Sequence, residues 1–288
     1  MTAQLEPLAG GRRPSQFARI FKRISARIGL FVIFVFLLAV IFGPWIAPFD
    51  PFEQDFASVL LPPSWTHLFG TDQFGRDIFS RVIYGTRYAF AAVVIADGLA
   101  LILGCGLGLI AGILGGRVDG FVMRVIDMFL AFPFLLLALI IVAALGPGFG
   151  NTLIALGIVN MPRYARLMRG QVLRVRTAEY IEAARAAGVG FWAILFRHVL
   201  PNSYSPILVL VTLQAGVIII ETAGLSFLGL GAQPPAPDWG ALLADGQSYF
   251  LSAWWMATFP GLAIVAVVFG FNLVGDALRD YSDPRART

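Results

Sequence analysis

Uninterrupted apolar runs of about 20 residues recur along this chain, the length a helix needs to cross a hydrocarbon core of about 30 Å. The first covers residues 28–47 and is closed by Pro44 and Pro48. A segment in lipid has no water to pair its peptide groups, so a run of this kind must satisfy its own backbone, which a helix does. Composition points the same way. Of the 288 residues, 58% are hydrophobic and only 13% charged, about half the charge of an ordinary soluble chain. The expected architecture is an all-α integral membrane protein made of one bundle.

The hydropathy pattern predicts six transmembrane helices, at 28–47, about 88–115, about 121–145, 151–162, about 204–230 and about 251–274. Pro133 is expected to kink the third and Pro260 lies inside the sixth. The fourth is short and is free to run on as helix into the polar loop that follows. The resulting organisation is an N-terminal segment 1–27, a six-helix transmembrane domain 28–276 with a polar loop at about 163–202, and a tail 277–288. A basic start before an apolar stretch imitates a signal peptide. This stretch is longer than an ordinary signal core and lacks a small-x-small cleavage site, so it reads as an uncleaved first span.

Lysine and arginine set the orientation. The N-terminal segment, Arg117, the loop arginines (Arg163, Arg166, Arg169, Arg174, Arg176, Arg185, Arg197) and Arg279, Arg285 and Arg287 of the tail all fall on one side. The other side holds Arg76, Arg81 and Arg87. Both termini are therefore expected in the cytoplasm. The net charge of +4 fits this bias better than nucleic-acid binding, and no nucleic-acid partner is expected.

Several chemistries are excluded by supply. Lys22 is the sole lysine, so no Gly-Lys-Ser/Thr phosphate loop can form. Cys105 is the sole cysteine, and His67 and His198 are far apart. That rules out an intrachain disulfide and argues against a zinc site of usual composition. Nothing sets a serine beside either histidine. The chain is not expected to be an enzyme or to hold a cofactor.

Ala92, Ala96, Ala100, Gly104, Gly108, Gly112 and Gly116 recur every fourth residue. Small residues at that spacing let a second helix approach closely. The polar loop carries Glu182, Ala183 and Ala184, then Gly188, then Leu200 and Pro201. It reads as a helix over 178–187 with Thr177 as N-cap and Gly188 as the left-handed C-cap, then a second short helix over 191–199 ended by proline. Phe191, Trp192, Leu195 and Phe196 on that second helix have no reason to face water. They are expected to meet a partner or the chain's own helix ends, the plainer reading being an interfacial amphipathic pair.

The spacing Glu-Ala-Ala-x3-Gly-x11-Leu-Pro resembles the EAA loop of ABC-importer permeases. The run 70–77 (GTDQFGRD) with Ser80, Arg81 and Arg87, the set Arg124, Asp127 and 131–133 (AFP), the run 221–231 (ETAGLSFLGLG), Pro234, Pro235, Pro237, Trp239 and Gly240, and the tail from Gly275 to Arg285 resemble the peptide/nickel group. The likeness covers about 30–285 and is strongest to the C-type permease subunit of dipeptide and oligopeptide importers. His198 departs from the general EAA pattern, but Arg197 to Asn202 follows the peptide-type variant. The resemblance implies a type I ABC importer permease-like bundle in a bacterial cytoplasmic (inner) membrane. It implies a homologous second permease subunit, two ABC ATPase subunits that bind ATP and Mg, and an extracytoplasmic substrate-binding protein. On that reading Glu182, Ala183, Ala184, Gly188, Leu200 and Pro201 couple to the ATPase, and the cargo is a di- or oligopeptide, with nickel or another small solute as the alternative. A secondary transporter or channel subunit is the competing class, and a scaffold subunit a third. No inverted repeat is visible and neither would use the loop.

Asp97 and Glu221 lie within spans, where a charge costs about 2.5–3.5 kcal/mol on insertion scales. They are candidates for the translocation path, against the alternative of structural pairing. Arg124 and Asp127 are expected to pair locally. Pro235 and Trp239 are candidates for contact with the binding protein, against a role in capping the bundle. Trp239, Trp254 and Trp255 fit an interfacial aromatic belt.

Overall fold

The structure is a computed structural model describing residues 24–282. The basic residues Arg12, Arg13, Arg19, Lys22 and Arg23 of the N-terminal segment, and Arg285 and Arg287 of the tail, lie outside the described residues. Nine helices are found among the described residues: α1 (Ile24–Ile46), α2 (Ile78–Leu114), α3 (Gly116–Ala131), α4 (Phe134–Leu145), α5 (Phe149–Arg176), α6 (Glu179–Ala186), α7 (Phe191–Phe227), α8 (Trp239–Gln247) and α9 (Trp255–Ser282). Strand-like pairing among them is limited to one bridge between Thr71 and Asp77.

Helices α1, α2, α7 and α9 are each long and apolar enough to cross a membrane. Helices α3 and α4 meet that measure only as a pair. Helix α5, with 28 residues, is about 42 Å long. With α5 as a crossing the six expected spans are accommodated, while length and composition alone count four or five.

Three expectations change. The second span starts at Ile78, ahead of 88, because Asp77 caps it there: its carboxylate accepts 2.8 Å bonds from Ser80 N and Ser80 Oγ. The third span is broken rather than kinked, its halves 97° apart. Phe132 is extended (φ −86°, ψ 141°), as a residue before proline prefers. The fourth runs as helix to Arg176, so the polar stretch 163–176 is the inner half of α5.

The centre of the bundle is the contact between α2 and α5. Ala92, Ala96 and Ala100 are fully buried. A Cβ on Gly104 would collide with the Met161 carbonyl oxygen, and one on Gly108 with that of Ala165. On Gly112 it would lie 2.8 Å from Val172 Cβ. The ridge ends there, since Gly116 faces open space beyond the end of α2. Lipid tails are as apolar as leucine, so burial gives little drive between these helices, and close backbone contact supplies dispersion instead. Helices α7, α9 and α1 pack in turn around this pair.

Residues 47–77 fold over one end of the bundle with α8. Thr71, Asp72, Arg76, Asp77 and Arg81 are all at most 3% exposed. Asp72 accepts from Arg76 Nε at 2.6 Å, Arg81 Nη1 donates to the Pro51 carbonyl at 3.0 Å, and Trp255 Nε1 donates to the Thr71 carbonyl at 3.1 Å. The run 70–77, buried except at Gln73 and Phe74, thus anchors the start of α2. Of the three tryptophans expected at the membrane interface, only Trp254 is exposed; Trp239 and Trp255 are buried.

Gly108→Ala should cost about 2–3 kcal/mol through overpacking, read as a fall in thermal midpoint in detergent. Gly106→Ala on the same helix meets open space and should be neutral or slightly stabilising. Equal effects would contradict the α2–α5 contact.

Candidate coupling site and polar centre

The loop of interest forms a helical hairpin. Helix α6 ends in a left-handed Gly188 (φ 79°), with Val189 N donating to Ala184 O at 3.0 Å. That six-to-one bond is the mark of a Schellman end. A Cβ on Gly188 would meet nothing within 4 Å, so a substitution there is opposed by backbone conformation, at about 1–2 kcal/mol, and not by a clash. Thr177 does not cap α6. Its hydroxyl donates to the Leu173 and Arg174 carbonyls, closing α5. The second helix does not stop at Pro201 either. A π-helical turn at Leu195–Val199 widens the ladder where the proline ring would otherwise strike the carbonyl four residues back. The helix then continues as α7 to Phe227.

The hairpin has two faces. Ile181, Ile194, Leu195 and Val199 are buried against Met168, Val172 and Val175 of α5. Glu182, Ala183 and Gly188 are exposed, Ala184 and Leu200 half-buried, and Pro201 exposed. Of the apolar side chains expected to find a contact, Leu195 is buried at 6%, whereas Phe191, Trp192 and Phe196 remain 53–67% exposed. These three pack edge-on and stacked against one another, with centroids 5.3 and 6.1 Å apart. A cavity of about 430 Å³ lies beneath them, bounded by the ends of α2 and α5 and by Val189, Ile194 and Val199. Arg176 closes its inner side, donating to the Gly112 and Ile113 carbonyls at 3.1 and 3.2 Å, which satisfies the end of α2.

Two further ion pairs fix α3 to α5. Arg169 holds Asp119 through bonds of 2.5 and 2.6 Å, and Arg166 meets Asp127 at 2.6 Å. Asp127 therefore pairs across helices, not with Arg124. The Arg166 pair is over half exposed, and such a pair contributes at most about 1 kcal/mol.

Asp97 and Glu221 are 2% and 7% exposed. Asp97 sits at the end of a π-helical turn in α2, Val93–Asp97, and accepts from Tyr164 Oη at 2.5 Å. Glu221 accepts from Asn160 Nδ2 at 2.6 Å; Asn160 Oδ1 accepts from Gln214 Nε2 at 2.8 Å; Gln214 Oε1 accepts from Arg163 at 2.9 Å. Both carboxylates face protein within this chain, each held by a side chain of α5. Their partners Asn160, Tyr164, Gln214 and Arg163 were not among the predicted site residues. Asn160 and Gln214 carried a visible signal, as uncharged polar side chains within apolar sequence.

Trp239 is 2% exposed and donates from Nε1 to the Val82 carbonyl at 2.9 Å. It cannot be a docking surface; it pins the outer loop to α2. Pro235 is exposed. Asp238 beside them caps α8 through Ala241 N, and burial lifts its carboxyl above the usual aspartate range.

Residues 104–288 match the family described as binding-protein-dependent transport system inner membrane component. Residues 15–63 match the N-terminal TM domain of oligopeptide transport permease C. The chain is 46% identical over 272 residues to the dipeptide transport system permease protein DppC of Alkalihalophilus pseudofirmus, covering 94% of this chain and 90% of that one. It is 45% identical to the probable D,D-dipeptide transport system permease protein DdpC of Escherichia coli, covering 88% and 86%. It is 42% identical to the glutathione transport system permease protein GsiD of Pectobacterium atrosepticum, covering 95% and 91%. Among solved structures, an inward-facing MetNI methionine ABC transporter chain superposes with a TM-score of 0.60 at 18% identity, covering 72% of this chain and 98% of that one.

Replacing Asn160 by Leu should leave Glu221 and Gln214 without their shared partner inside the bundle, at about 1–3 kcal/mol for each stranded group. The check is the thermal midpoint of the purified chain. An unchanged midpoint would mean that the chain of bonds is not formed.

Proposed function

This chain belongs to the family of binding-protein-dependent transport system inner membrane components, and from that premise we propose that it passes di- or oligopeptides, handed over by an external binding protein, through a bundle driven at the α6 hairpin. Membership makes it the multi-pass permease subunit of an ABC importer, which sets aside the self-gated transporter or channel. The cargoes for which the relatives are named support the substrate class: dipeptide, D,D-dipeptide and glutathione. Nickel or another small solute is the alternative within the same machine.

The observation that carries the reading is the two-faced hairpin. Glu182, Ala183 and the aromatic trio are presented outward, while Ile181, Ile194 and Leu195 fasten the same element to α5 and α7. A push on α6 is therefore delivered to a 37-residue helix across the short turn 187–190, which the Val189–Ala184 bond closes. The pushing partner is an ATPase subunit that binds ATP and Mg, two per complex, and a second homologous permease completes the pathway. This chain binds no nucleotide and performs no covalent chemistry. The arginine distribution supports cytoplasmic termini and a cytoplasmic hairpin. Pro235, exposed on the opposite face, remains available to the binding protein.

The test is uptake of a labelled dipeptide in a strain lacking this gene, complemented with wild type or Gly188→Val. Wild type should restore uptake. The variant should insert normally and restore at most about a tenth of it, as expected if a 1–2 kcal/mol backbone penalty displaces the docking face. Normal uptake by the variant would overturn the coupling role. Absence of dipeptide uptake in wild type would move the cargo to another solute.

A further inference from the structure

The arginines of α5 are not equivalent. Arg166 and Arg169 each hold an aspartate of α3. Arg163, one turn further into the membrane, makes no ion pair among the described residues. It donates instead to the neutral Gln214 Oε1 at 2.9 Å.

Depth makes this unusual. Tyr164, its neighbour, packs at the level of Gly104, about 15 Å along α2 from Leu114, and Arg163 lies about 21 Å along α5 from Phe149. The two measures put the residue inside a core of about 30 Å, between its midpoint and about two-thirds of the way across. Arg163 is nevertheless exposed on the protomer. A guanidinium cannot be left in hydrocarbon at that depth, so it faces either a partner or water.

The groups behind it are built to hold it. Gln214, Asn160 and Glu221 are 3%, 1% and 7% exposed. They form a continuous line of bonds from the Arg163 guanidinium to the Glu221 carboxylate. Each link fixes the orientation of the next amide, leaving Gln214 Oε1 aimed at the guanidinium. One bond to Gln214 leaves the rest of the planar fork of donors unused. Such a fork matches a carboxylate in two-point geometry.

The geometry points to Arg163 as a carboxylate-binding site in the translocation path, taking the C-terminal carboxylate of the cargo as it crosses mid-membrane; this rests on the peptide reading above. Glu221 balances the charge when the site is empty. The single neutral tether keeps the arginine pointed outward without saturating it. A passing peptide then exchanges water for a fixed cation, which lowers the cost of carrying a carboxylate through a low-dielectric region.

The test uses the whole complex as it copurifies with this chain, reconstituted in proteoliposomes with its binding protein. The probes are dialanine and its C-terminal amide, each at a concentration that saturates stimulation of ATP hydrolysis. Wild type should carry the free acid faster than the amide. Arg163→Gln should reduce that ratio about tenfold, the size of a lost charge-assisted bond. Gln214→Glu leaves Arg163 in place but supplies a carboxylate from the protein, and should reduce the ratio as well. A ratio unchanged in a variant that assembles overturns the site. Loss of copurification in both variants would assign Arg163 to the permease interface and overturn it too. Wild-type vesicles that carry neither probe would instead defeat the peptide reading, and this inference with it.

Discussion

The backbone contact between α2 and α5 is the constraint on which the rest of the structure depends. Gly104 and Gly108 let the helices meet where any side chain would strike a carbonyl. That approach puts Tyr164 within reach of Asp97 and lets Arg176 cap the end of α2. It also fixes the inner end of α5, the surface on which Ile181, Ile194 and Leu195 seat the hairpin. Because lipid offers no hydrophobic drive between helices, this contact and the buried polar bonds must hold the bundle.

The two ends of the molecule are held differently. The end covered by residues 47–77 is held by polar bonding: Asp77 starts α2, Asp72 holds Arg76, and Trp239 and Trp255 donate to the Val82 and Thr71 carbonyls. The end that carries the hairpin is held by apolar packing beneath an exposed aromatic patch, together with the Arg169–Asp119 and Arg166–Asp127 pairs and the Arg176 cap.

Much of this was legible in the sequence. The four-residue spacing of alanine and glycine marked the tightest contact, and Gly188 read correctly as a left-handed helix end. What misled was local signal overruled by context. Proline at 201 reads as a stop, but a preceding π-helical turn lets the helix pass. Asp77 lies in a polar stretch and nonetheless starts a span, since its capping bonds need no apolar neighbours. Arg163 follows Pro162 and opens a run of arginines, so it looked like the start of a cytoplasmic loop. Only the α2–α5 register reveals its depth. Asp97 and Glu221 stood out as costly charges in lipid, but their partners, Tyr164 and Asn160, both come from α5, and no spacing rule joins residues that far apart. Trp239 sits in a proline-rich loop that reads as surface; its burial follows from how that loop folds back on α2.

The central claim is that α5, α6 and α7 move as one body when the hairpin is pushed. The most direct measurement is the distance between spin labels at Ala183 on α6 and Ile154 on the outer half of α5, in a Cys105→Ala background. It would be taken in the assembled transporter before and after trapping with ATP and vanadate. The account predicts the same distance in both states, while a label at Ala183 moves relative to its equivalent on the second permease. A change in the Ala183–Ile154 distance on trapping would mean that the hairpin hinges on its own, and that the packing of Ile181 and Leu195 does not transmit the stroke.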